Sequence, residues 1–276
     1  MEFFVATPNR NYGRFIGDAI ESVRMQGASR VKHHIQDALS SDSSISEIRR
    51  HMWKGLSYVS EQDSGQCDAV NRALENSDNC ADVLSWLNSD EYYLPFAFDV
   101  VRKYFEKHPE VDIVYGNTIH TGETGSFSRL VAQHRFSPFV LRTYGTYIQS
   151  SSVFFRRRVR DAGDLYLDPA YKQVMDLELY LRLSRRGHKF GFINQPLSAF
   201  RLHDEQLTSQ HGKAFADRER SSLPGVKVDK YSRAFGRLHH GLLKVVNGGV
   251  LREHIAEIRC GRAMDQSSSI ETGEQK

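Results

Sequence analysis

The sequence lacks the cysteine pairs, the long apolar runs and the excess of one charge that would assign it to a class at once. Its three cysteines, Cys67, Cys80 and Cys260, are far apart and form no Cys-x-x-Cys pair, so neither a disulfide framework nor a structural zinc site is expected. No apolar run approaches the roughly 20 residues that cross a bilayer, and no basic segment followed by an apolar one marks a signal peptide. A reducing cytoplasm is the expected location.

Charge and glycine usage exclude further classes. The formal net charge is only +3, because 37 Lys and Arg residues are balanced by 34 Asp and Glu residues. Nucleic-acid-binding proteins usually concentrate positive charge on one face, so no nucleic acid is expected as a partner. No Gly-x-Gly-x-x-Gly follows the first apolar run, and no Gly-x-x-x-x-Gly-Lys loop is present. A dinucleotide site or a P-loop therefore has no support, and phosphate has to be bound in another way.

What is present is an alternation of short apolar runs and helical patterns in the first half of the chain. Strands are predicted at 2–7, 31–36, 56–60, 83–87 and 111–115, and helices at 14–26, 43–52 and 65–76, with another helix beginning near Pro95. Such alternation is typical of an α/β fold with a mostly parallel central sheet and helices on both faces. We expect one large domain over about 1–210.

The C-terminal part has a different composition. Beyond Gln210, Lys and Arg outnumber Asp and Glu, and Phe235, Leu238, Leu242 and Val246 recur at helical spacing. A basic helical extension is expected over 211–262, followed by a disordered tail over 263–276 that is rich in Ser, Glu and Gln. The amphipathic helix has two interpretations. It packs on the domain, or it attaches the protein peripherally to the inner face of the plasma membrane.

Polar residues follow several of the predicted strands. In parallel sheets ligands bind outside the carboxyl ends of the strands, so these positions are candidates for function. They are 7–9, 37–42, 61–66 and 88–91. The strongest is the Asn88-Ser89-Asp90-Glu91 turn, where an apolar strand ends in a cluster of oxygen ligands. Mg²⁺ and Mn²⁺ prefer carboxylate and phosphate oxygens, so Asp90 is the predicted metal ligand. A helix cap or a solvated turn is the structural alternative.

Several segments, in their order along the chain, resemble family 2 glycosyltransferases. The run from Asn88 to Pro95, Asn-Ser-Asp-Glu-Tyr-Tyr-Leu-Pro, is similar to the Asp-x-Asp region of that family. The other similar segments are residues 5–9, 34–42, 61–71, 149–157 and 175–183, with a histidine at the end of Phe200-Arg201-Leu202-His203. The resemblance covers roughly residues 3 to 205.

The resemblance implies a GT-A fold, which is a Rossmann-like fold of nucleotide-diphospho-sugar transferases, with a donor half over about 1–117 and an acceptor half over about 118–210. It implies transfer of a sugar from a UDP-, GDP- or dTDP-linked donor to the hydroxyl of a saccharide or lipid-linked acceptor, in polysaccharide or glycolipid assembly. Inversion at the anomeric carbon and dependence on Mn²⁺ or Mg²⁺ are expected.

The resemblance also implies roles for individual residues. The nucleotide-sugar-binding set is Thr7, Pro8, Asn9, Asp37, Asp63, Gln66, Asn88 and Ser89. The metal ligands are Asp90 and His203, and the acceptor side holds Gln149, Glu178 and Arg201. Asp176 matches the segment that supplies the base in inverting enzymes, and a carboxylate is a suitable base for an attacking hydroxyl.

Several of these side chains have a structural alternative. Asp37 could cap a turn, and Asp42 before an apolar helix is good N-cap chemistry. Asp176 precedes a helical pattern, where a negative charge is favourable to the helix dipole. A lone histidine such as His203 is more often structural or exposed than a ligand.

Two departures from the family pattern bear on activity. Glu91 stands where the commoner motif has a second Asp, and Leu39 occupies a turn that usually contains glycine. Glycine allows positive φ angles and the close approach of a ligand, which leucine resists. A non-catalytic nucleotide-sugar-binding protein on the same fold is therefore one alternative to the transferase. A metal-dependent nucleotidyltransferase is a second alternative, although the glycine- and lysine-rich loop expected of it is missing.

Overall fold

The structure is a computed structural model that describes residues 1–27, 29–77 and 81–259, without the side chains of 207–213. The predicted tail over 263–276 lies outside the described residues, as do Cys80 and Cys260. Cys67 is buried and its thiol is free.

The first half of the chain alternates strands and helices, as the apolar spacing predicts. Strands β1 to β5 are Phe3–Asn9, Val31–Asp37, Leu56–Ser60, Val83–Trp86 and Tyr92–Tyr93. Helices α1 to α4 are Gly13–Arg24, Ser44–Arg50, Gln66–Glu75 and Ala97–Lys107. The helices bury apolar stripes, which in α1 consist of Phe15, Ile16, Ala19, Ile20 and Val23.

The second half completes the sheet and then becomes helical. Strands β6 to β9 are Ile113–Thr121, Phe127–Val131, Val153–Arg156 and Phe190–Arg201. Helices α5 to α9 are Pro138–Thr143, Arg157–Asp161, Met175–Arg185, Leu207–Ser222 and Lys230–Val246. A 3₁₀ turn at Ser150–Ser152 leads into β8, and residues 249–259 are helical.

The strands form one sheet in the order β3-β2-β1-β4-β8-β6-β9-β5, with β7 paired to β6. Strands β1, β2, β3 and β4 are parallel to one another, so their carboxyl ends lie at the same edge. β8 joins this half antiparallel to β4, and β6 runs parallel to β9. The predicted α/β fold, with helices around a central sheet, is confirmed. Strands β1 to β4 form its continuous parallel part, and β6 and β9 form a further parallel pair.

Apolar side chains cover both faces of the sheet, as β1 illustrates. Phe3 and Val5 pack with residues of α1, α2 and α4 on one face. Phe4 and Ala6 pack with residues of α3, α5 and α7 on the other. This division follows from the period of two along a strand. The carboxyl end of β1 is therefore held by a core on each side.

Two strands run further than their sequence pattern predicts. β1 continues through Pro8 to Asn9, in register with β2. Pro8 has no N–H, but β4 pairs with β1 only as far as Ala6, so no ladder hydrogen bond is lost there. β6 continues from Tyr115 to Thr121 because β7 and β9 pair with its second half. A local pattern does not reveal such distant partners.

Beyond β9 the described chain is mainly helical, as predicted for the 211–262 extension. Helix α9 packs on α5, where a Cβ atom added to Gly236 would lie 2.5 Å from Thr143 Oγ1. None of the helices in the described part of the chain is both long and apolar enough to cross a membrane. A domain boundary near residue 210 stays a prediction.

Candidate functional site

The loops after β1 and β2 are hydrogen-bonded to each other around Asp37. Its carboxylate accepts hydrogen bonds from Asn9 Nδ2 at 2.7 Å, the Ser40 backbone N–H at 3.0 Å and Ser60 Oγ at 2.6 Å. Asp37 is fully buried, so in this conformation it holds the ends of three strands together. Asn9 keeps an amide oxygen, Oδ1, with no hydrogen-bond partner among the described residues.

Thr7 and Pro8 support the same edge. Thr7 is fully buried and its Oγ1 lies 2.8 Å from His33 Nε2, so its side chain is not part of the exposed lining. Burial lowers the pKa of His33 to about 3, which leaves the ring neutral at physiological pH. The Pro8 carbonyl accepts a hydrogen bond from Ser89 Oγ at 2.8 Å, which joins the end of β1 to the turn after β4.

The turn after β2 contains a residue with a left-handed backbone, although that residue is not a glycine. Leu39 has a φ of 52°, the left-handed conformation that glycine adopts without strain. Its side chain is 60% exposed. Asp42 accepts hydrogen bonds from the backbone N–H groups of Gly13 at 2.8 Å and Ser44 at 2.9 Å, so it satisfies the N-termini of α1 and α2. Asp42 therefore has a structural role at two helix N-termini, although the N-cap residue of α2 is Ser43.

The start of α3 brings Asp63 and Gln66 to the same edge of the sheet. Gln66 Nε2 donates to Asn88 Oδ1 at 2.7 Å and links α3 to the turn after β4. Asp63 accepts a hydrogen bond from the Gly65 N–H at 2.9 Å, and burial raises the pKa of its carboxyl. Asp63, Gln66 and Asn88 are partly exposed, so these members of the predicted binding set remain accessible to a ligand.

The turn after β4 carries Asp90, whose Oδ2 lies 2.9 Å from Nε2 of His203. The imidazole is fully buried and contacts the rings of Tyr12 and Phe15, at centroid distances of 5.7 and 4.8 Å. Its Nδ1 has no hydrogen-bond partner among the described residues. The structure thus brings the two predicted metal ligands together.

The donor atoms at this turn fit a divalent cation whose coordination a diphosphate completes. Mg²⁺ is usually held by one or two protein groups together with substrate phosphates, and imidazole is a common ligand of transition metals. Within the described ranges, no group of three His, Cys, Asp or Glu side chains is arranged to hold a metal ion. The protein would therefore supply Asp90 and His203, and phosphate and water would supply the other ligands.

Glu91 is only 1% exposed and ties the turn to the acceptor-side segment. Its carboxyl accepts hydrogen bonds from Gln149 Nε2 at 3.0 Å and from the Asn88 N–H at 3.4 Å. Burial and the negative charge of Asp90 raise the pKa of Glu91. Glu91, one of the two residues that depart from the family pattern, therefore connects the turn to Gln149 in the interior, beside Asp90.

Arg201 is 4% exposed and its guanidinium is engaged on three sides. It donates hydrogen bonds to the Asp90 carbonyl at 3.2 Å, the Glu123 carbonyl at 2.6 Å and the Asp18 carboxylate at 2.6 Å. In this conformation Arg201 holds the backbone of the turn that carries Asp90. A contact between Arg201 and the acceptor stays a prediction.

Asp176 stands in the first turn of α7, where its Oδ1 accepts a hydrogen bond from the Leu177 N–H at 2.8 Å. Burial raises the pKa of Asp176 to about 6. A base is most effective when its pKa is close to the working pH, so this carboxyl suits proton abstraction better than an ordinary aspartate. The side chain is partly exposed and therefore accessible.

Tyr180, one helical turn after Asp176, is a site residue that the sequence pattern does not reveal. Its hydroxyl is buried and has no hydrogen-bond partner among the described residues. Burial raises the pKa of Tyr180, and the charges of Asp176 and Glu91 raise it further. In the sequence, an apolar or aromatic residue at this spacing is typical of ordinary core.

Glu178 is 6% exposed and pairs with Arg182 on the next turn of α7, with 2.9 Å between Arg182 Nε and Oε1. Arg182 also donates to the Asp164 carbonyl at 2.8 Å, so the pair fixes the segment before α7. Glu178 therefore supports the helix that carries Asp176. Its predicted contact with the acceptor stays a prediction.

One cavity reaches these residues, and another lies at α5 and α9. The first, of about 350 Å³, is lined by residues of α1 and of the segment from Tyr92 to Pro95, and it reaches Arg201. The second, of about 730 Å³, is lined by residues of α5, the loop before α9 and the start of α9. Of the predicted site residues, only Arg201 lines either cavity.

A comparison of the sequence with known families agrees with this site. The site has parallel strands with acidic and amide side chains at their carboxyl ends. The sequence profile of glycosyl transferase family 2 matches residues 4–162, which is more than half of the chain. The chain belongs to this family. The glycosyl transferase family 2 match extends from β1 to α6 and ends before α7, which carries Asp176. No curated protein sequence gives a significant match.

Solved structures share the fold of this family member. S. aureus TarS 1-349 in complex with UDP-GlcNAc has a TM-score of 0.61 at 12% identity, and the match covers 84% of this chain and 69% of that one. TarS 1-349 has a TM-score of 0.56 at 13% identity, with 72% and 60% covered. Another TarS structure has a TM-score of 0.57 at 14% identity, with 84% and 46% covered. This chain thus spans only part of TarS, and at this identity the likeness shows the fold alone.

Proposed function

We propose that this chain transfers a sugar from a nucleoside-diphosphate sugar to the hydroxyl of a saccharide or lipid-linked acceptor, with inversion and with a divalent cation. The observation that supports this best is the path of contacts from α7 to the turn after β4. Met175 Sδ, beside Asp176, lies 3.3 Å from Cys67 Sγ, and Gln66, next to Cys67, donates to Asn88 Oδ1 at 2.7 Å. This path indicates that the base candidate and that turn belong to one site. Assembly of a polysaccharide or glycolipid is the process that such a reaction serves.

The donor is proposed to bind at the edge formed by the ends of β1, β2 and β4 and the start of α3. Asp63, Gln66 and Asn88 are partly exposed there, and Asn9 has an unpaired amide oxygen. These groups are suited to hydrogen-bond a base and a ribose. TarS has been solved with UDP and with UDP-GlcNAc, which favours a UDP-linked donor over a GDP- or dTDP-linked one.

Asp90 and His203 are the residues that would hold Mn²⁺ or Mg²⁺. A cation held there would offset the negative charge of the departing diphosphate. Tyr12 and Phe15 pack against the imidazole, so the chain positions this ligand before any donor binds. Arg201 holds the carbonyl of Asp90, which limits the movement of the turn.

Asp176 is proposed to take the proton of the acceptor hydroxyl as its oxygen attacks the anomeric carbon. The bond between the sugar and the diphosphate breaks as the new glycosidic bond forms on the opposite side, so the configuration inverts. A pKa of about 6 leaves Asp176 mainly deprotonated at neutral pH, as a base requires.

The test compares Asp90→Ala and Asp176→Ala with Asp99→Ala. Asp99 is a suitable control because it is also in the first turn of a helix, α4, and its side chain is 48% exposed. Release of nucleoside diphosphate from UDP-, GDP- and dTDP-sugars is measured with Mn²⁺, and donor binding is measured by calorimetry. We expect turnover to fall about 1,000-fold in both site variants, and donor binding to weaken mainly in Asp90→Ala.

Each other outcome excludes a part of the proposal. Full turnover in Asp176→Ala removes the proposed base. Donor binding by the wild type without any release of nucleoside diphosphate identifies a non-catalytic nucleotide-sugar-binding protein. Release of pyrophosphate in place of nucleoside diphosphate identifies a nucleotidyltransferase.

A further inference from the structure

Helix α9 turns its apolar side outward. Tyr231, Phe235, Leu238, Leu242 and Val245 follow one another at intervals of four and three residues, which places them on one side of a helix. Their exposed fractions range from 57% to 78%. We call this surface the α9 stripe. A surface helix normally buries such a stripe against the core.

The opposite side of α9 is the side that packs on the domain. Gly236 is buried, and a Cβ atom there would lie 2.5 Å from Thr143 Oγ1 of α5. His240 Nδ1 lies 2.9 Å from His134 Nε2, in the segment before α5. The rotation of α9 about its axis is therefore set by close packing. It leaves the α9 stripe open to solvent in the described structure.

Further apolar side chains are exposed in the segments before and after α9. The helix over 249–259 exposes four more aliphatic side chains, Val250, Leu251, Ile255 and Ile258. At the other end, Tyr231 and Phe235 also line the cavity of about 730 Å³, together with Phe136 and Phe139. The α9 stripe is thus continuous with an aromatic cavity.

The charged residues within α9 are all positive, and Asp229, its N-cap, adds one negative charge at its start. Helix α9 contains no Asp or Glu, and its Lys230 and Arg237 are exposed and form no ion pair with any described residue. Arg142 and Lys227 line the cavity, whose walls include no carboxylate among the described side chains. An apolar strip flanked by cations complements a bilayer surface that carries anionic headgroups.

We propose that the α9 stripe docks this chain on a lipid bilayer with anionic headgroups. The side chains of the stripe enter the boundary between headgroups and acyl chains, and Lys230 and Arg237 contact lipid phosphates. The cavity accepts one headgroup beside Arg142 and Lys227. Docking would hold the enzyme at the surface where a lipid-linked acceptor lies, and in that respect the inference rests on the proposed function.

Other occupants of the α9 stripe fit less well. The spacing resembles a coiled coil but lasts only about two heptads before the turn at Gly248, whereas coiled coils sustain it over three or four. The flanking Ser232, Ala234 and His239 offer no acid to the cations of a second copy. The segment 260–276 has only two large apolar residues, a Met and an Ile, which are too few to cover the stripe.

The test is flotation of the full chain with vesicles. The wild type is expected to float with vesicles of phosphatidylcholine and phosphatidylglycerol, and less with phosphatidylcholine alone. In the double variant Phe235→Ser and Leu242→Ser, affinity for the mixed vesicles should fall about tenfold or more, because two apolar side chains no longer enter the bilayer. Both residues are exposed, so the melting temperature should not fall. Met52→Ser, at an apolar position that is 48% exposed, is the matched control.

A second variant tests the charges. Lys230→Glu combined with Arg237→Glu should weaken binding to the mixed vesicles about tenfold or more, with little effect on phosphatidylcholine vesicles. Lys103→Glu, at an exposed cation on α4, is the control and should bind as the wild type does.

Three results overturn the proposal. They are a wild type that does not float with the mixed vesicles, a serine double variant that floats as well as the wild type, and a wild-type dimer that the serine double variant converts to a monomer. The last result assigns the α9 stripe to a second copy of the chain. Release of nucleoside diphosphate from a donor with a soluble acceptor is measured in parallel. Failure of docking leaves that release unchanged, and failure of the proposed function leaves flotation unchanged.

Discussion

The imidazole Nε2 of His203 lies 2.9 Å from the carboxylate Oδ2 of Asp90, although 113 positions separate the two residues. Tyr12 and Phe15 pack against the ring, so His203 cannot turn away without disturbing the start of α1. Arg201 holds the backbone of Asp90 from another side. The two candidate ligands are therefore positioned by folding.

Asp90→Asn keeps a group that can bond His203 but removes the negative charge. In the wild type, Mn²⁺ is expected to increase the affinity for UDP. In Asp90→Asn this increase should be smaller by about tenfold or more, because the cation loses a charged ligand. Calorimetric titration of UDP with and without Mn²⁺ measures this gain.

His203→Asn should reduce the same gain in affinity, since it removes the second ligand. His254→Asn is the matched control, because His254 is exposed on the helix over 249–259. If His203→Asn responds to Mn²⁺ as the wild type does, His203 does not hold the cation.

The raised pKa of Asp176 predicts how turnover depends on pH. The carboxyl acts as a base only when deprotonated, so kcat/KM should rise with pH through about 6 and become constant above it. If Asp176 had the pKa of an exposed aspartate, about 3.9, the rise would be centred near that pH. Initial rates at substrate concentrations well below KM measure the profile. A rise centred near the ordinary value would contradict the role of burial at Asp176.

The same pKa shift affects stability. The pKa of Asp176 is about 3.9 in the unfolded chain and about 6 in the folded chain. Between these two pH values the carboxyl is ionised in the unfolded chain and protonated in the folded chain. The free energy of unfolding therefore falls as the pH rises through this range. The loss is at most about 3 kcal/mol and persists at neutral pH. Asp176→Asn lacks this loss, so urea denaturation should show it to be more stable than the wild type at neutral pH. The two should be similar at about pH 3. Asp99→Asn, the control, should show no such gain.

Tyr180→Phe removes a buried hydroxyl that has no hydrogen-bond partner among the described residues. We expect the free energy of unfolding to rise by about 1 kcal/mol, because an unsatisfied buried group is lost. In Tyr115→Phe it should fall by about 1 kcal/mol, since the Tyr115 hydroxyl donates to the His134 carbonyl at 2.6 Å.

Turnover distinguishes a functional hydroxyl from an ordinary core tyrosine. We expect kcat of Tyr180→Phe to fall about tenfold or more at unchanged donor affinity, because the hydroxyl lies one turn of α7 from Asp176, the proposed base. Unchanged kcat and an unchanged pH profile would show that Tyr180 is only part of the core.

Leu39→Gly should stabilise the fold by about 1 kcal/mol, because a left-handed backbone at φ 52° is strained for leucine and not for glycine. Leu39→Ala retains the Cβ atom and therefore the strain, so it is the control. Thermal unfolding of the three proteins measures the difference. Equal stabilisation by alanine would mean that removing the exposed leucine side chain, and not relief of the backbone, is responsible.

The sequence pattern predicts the N-terminal half of the fold well, because β1 to β4 and α1 to α3 are short elements with clear apolar periodicity. The extension of β6 to Thr121 is not predicted, since its partners β7 and β9 follow later in the chain. Asp37 shows the same limit within the candidate site. Its position at the end of a strand is evident in the sequence, but two of its hydrogen-bond partners, Asn9 and Ser60, stand at the ends of the neighbouring strands β1 and β3.

By itself the sequence determined the alternation of strands and helices, the family, and the cluster of oxygen ligands after β4, because these depend on neighbouring residues. Only the tertiary structure decided that His203 meets Asp90, that Glu91 is buried against Gln149, and that the apolar side of α9 faces outward. Each of these depends on packing between distant segments. Hydrophobic spacing shows which residues share a face of a helix, but the partner that covers that face is set by the rest of the chain.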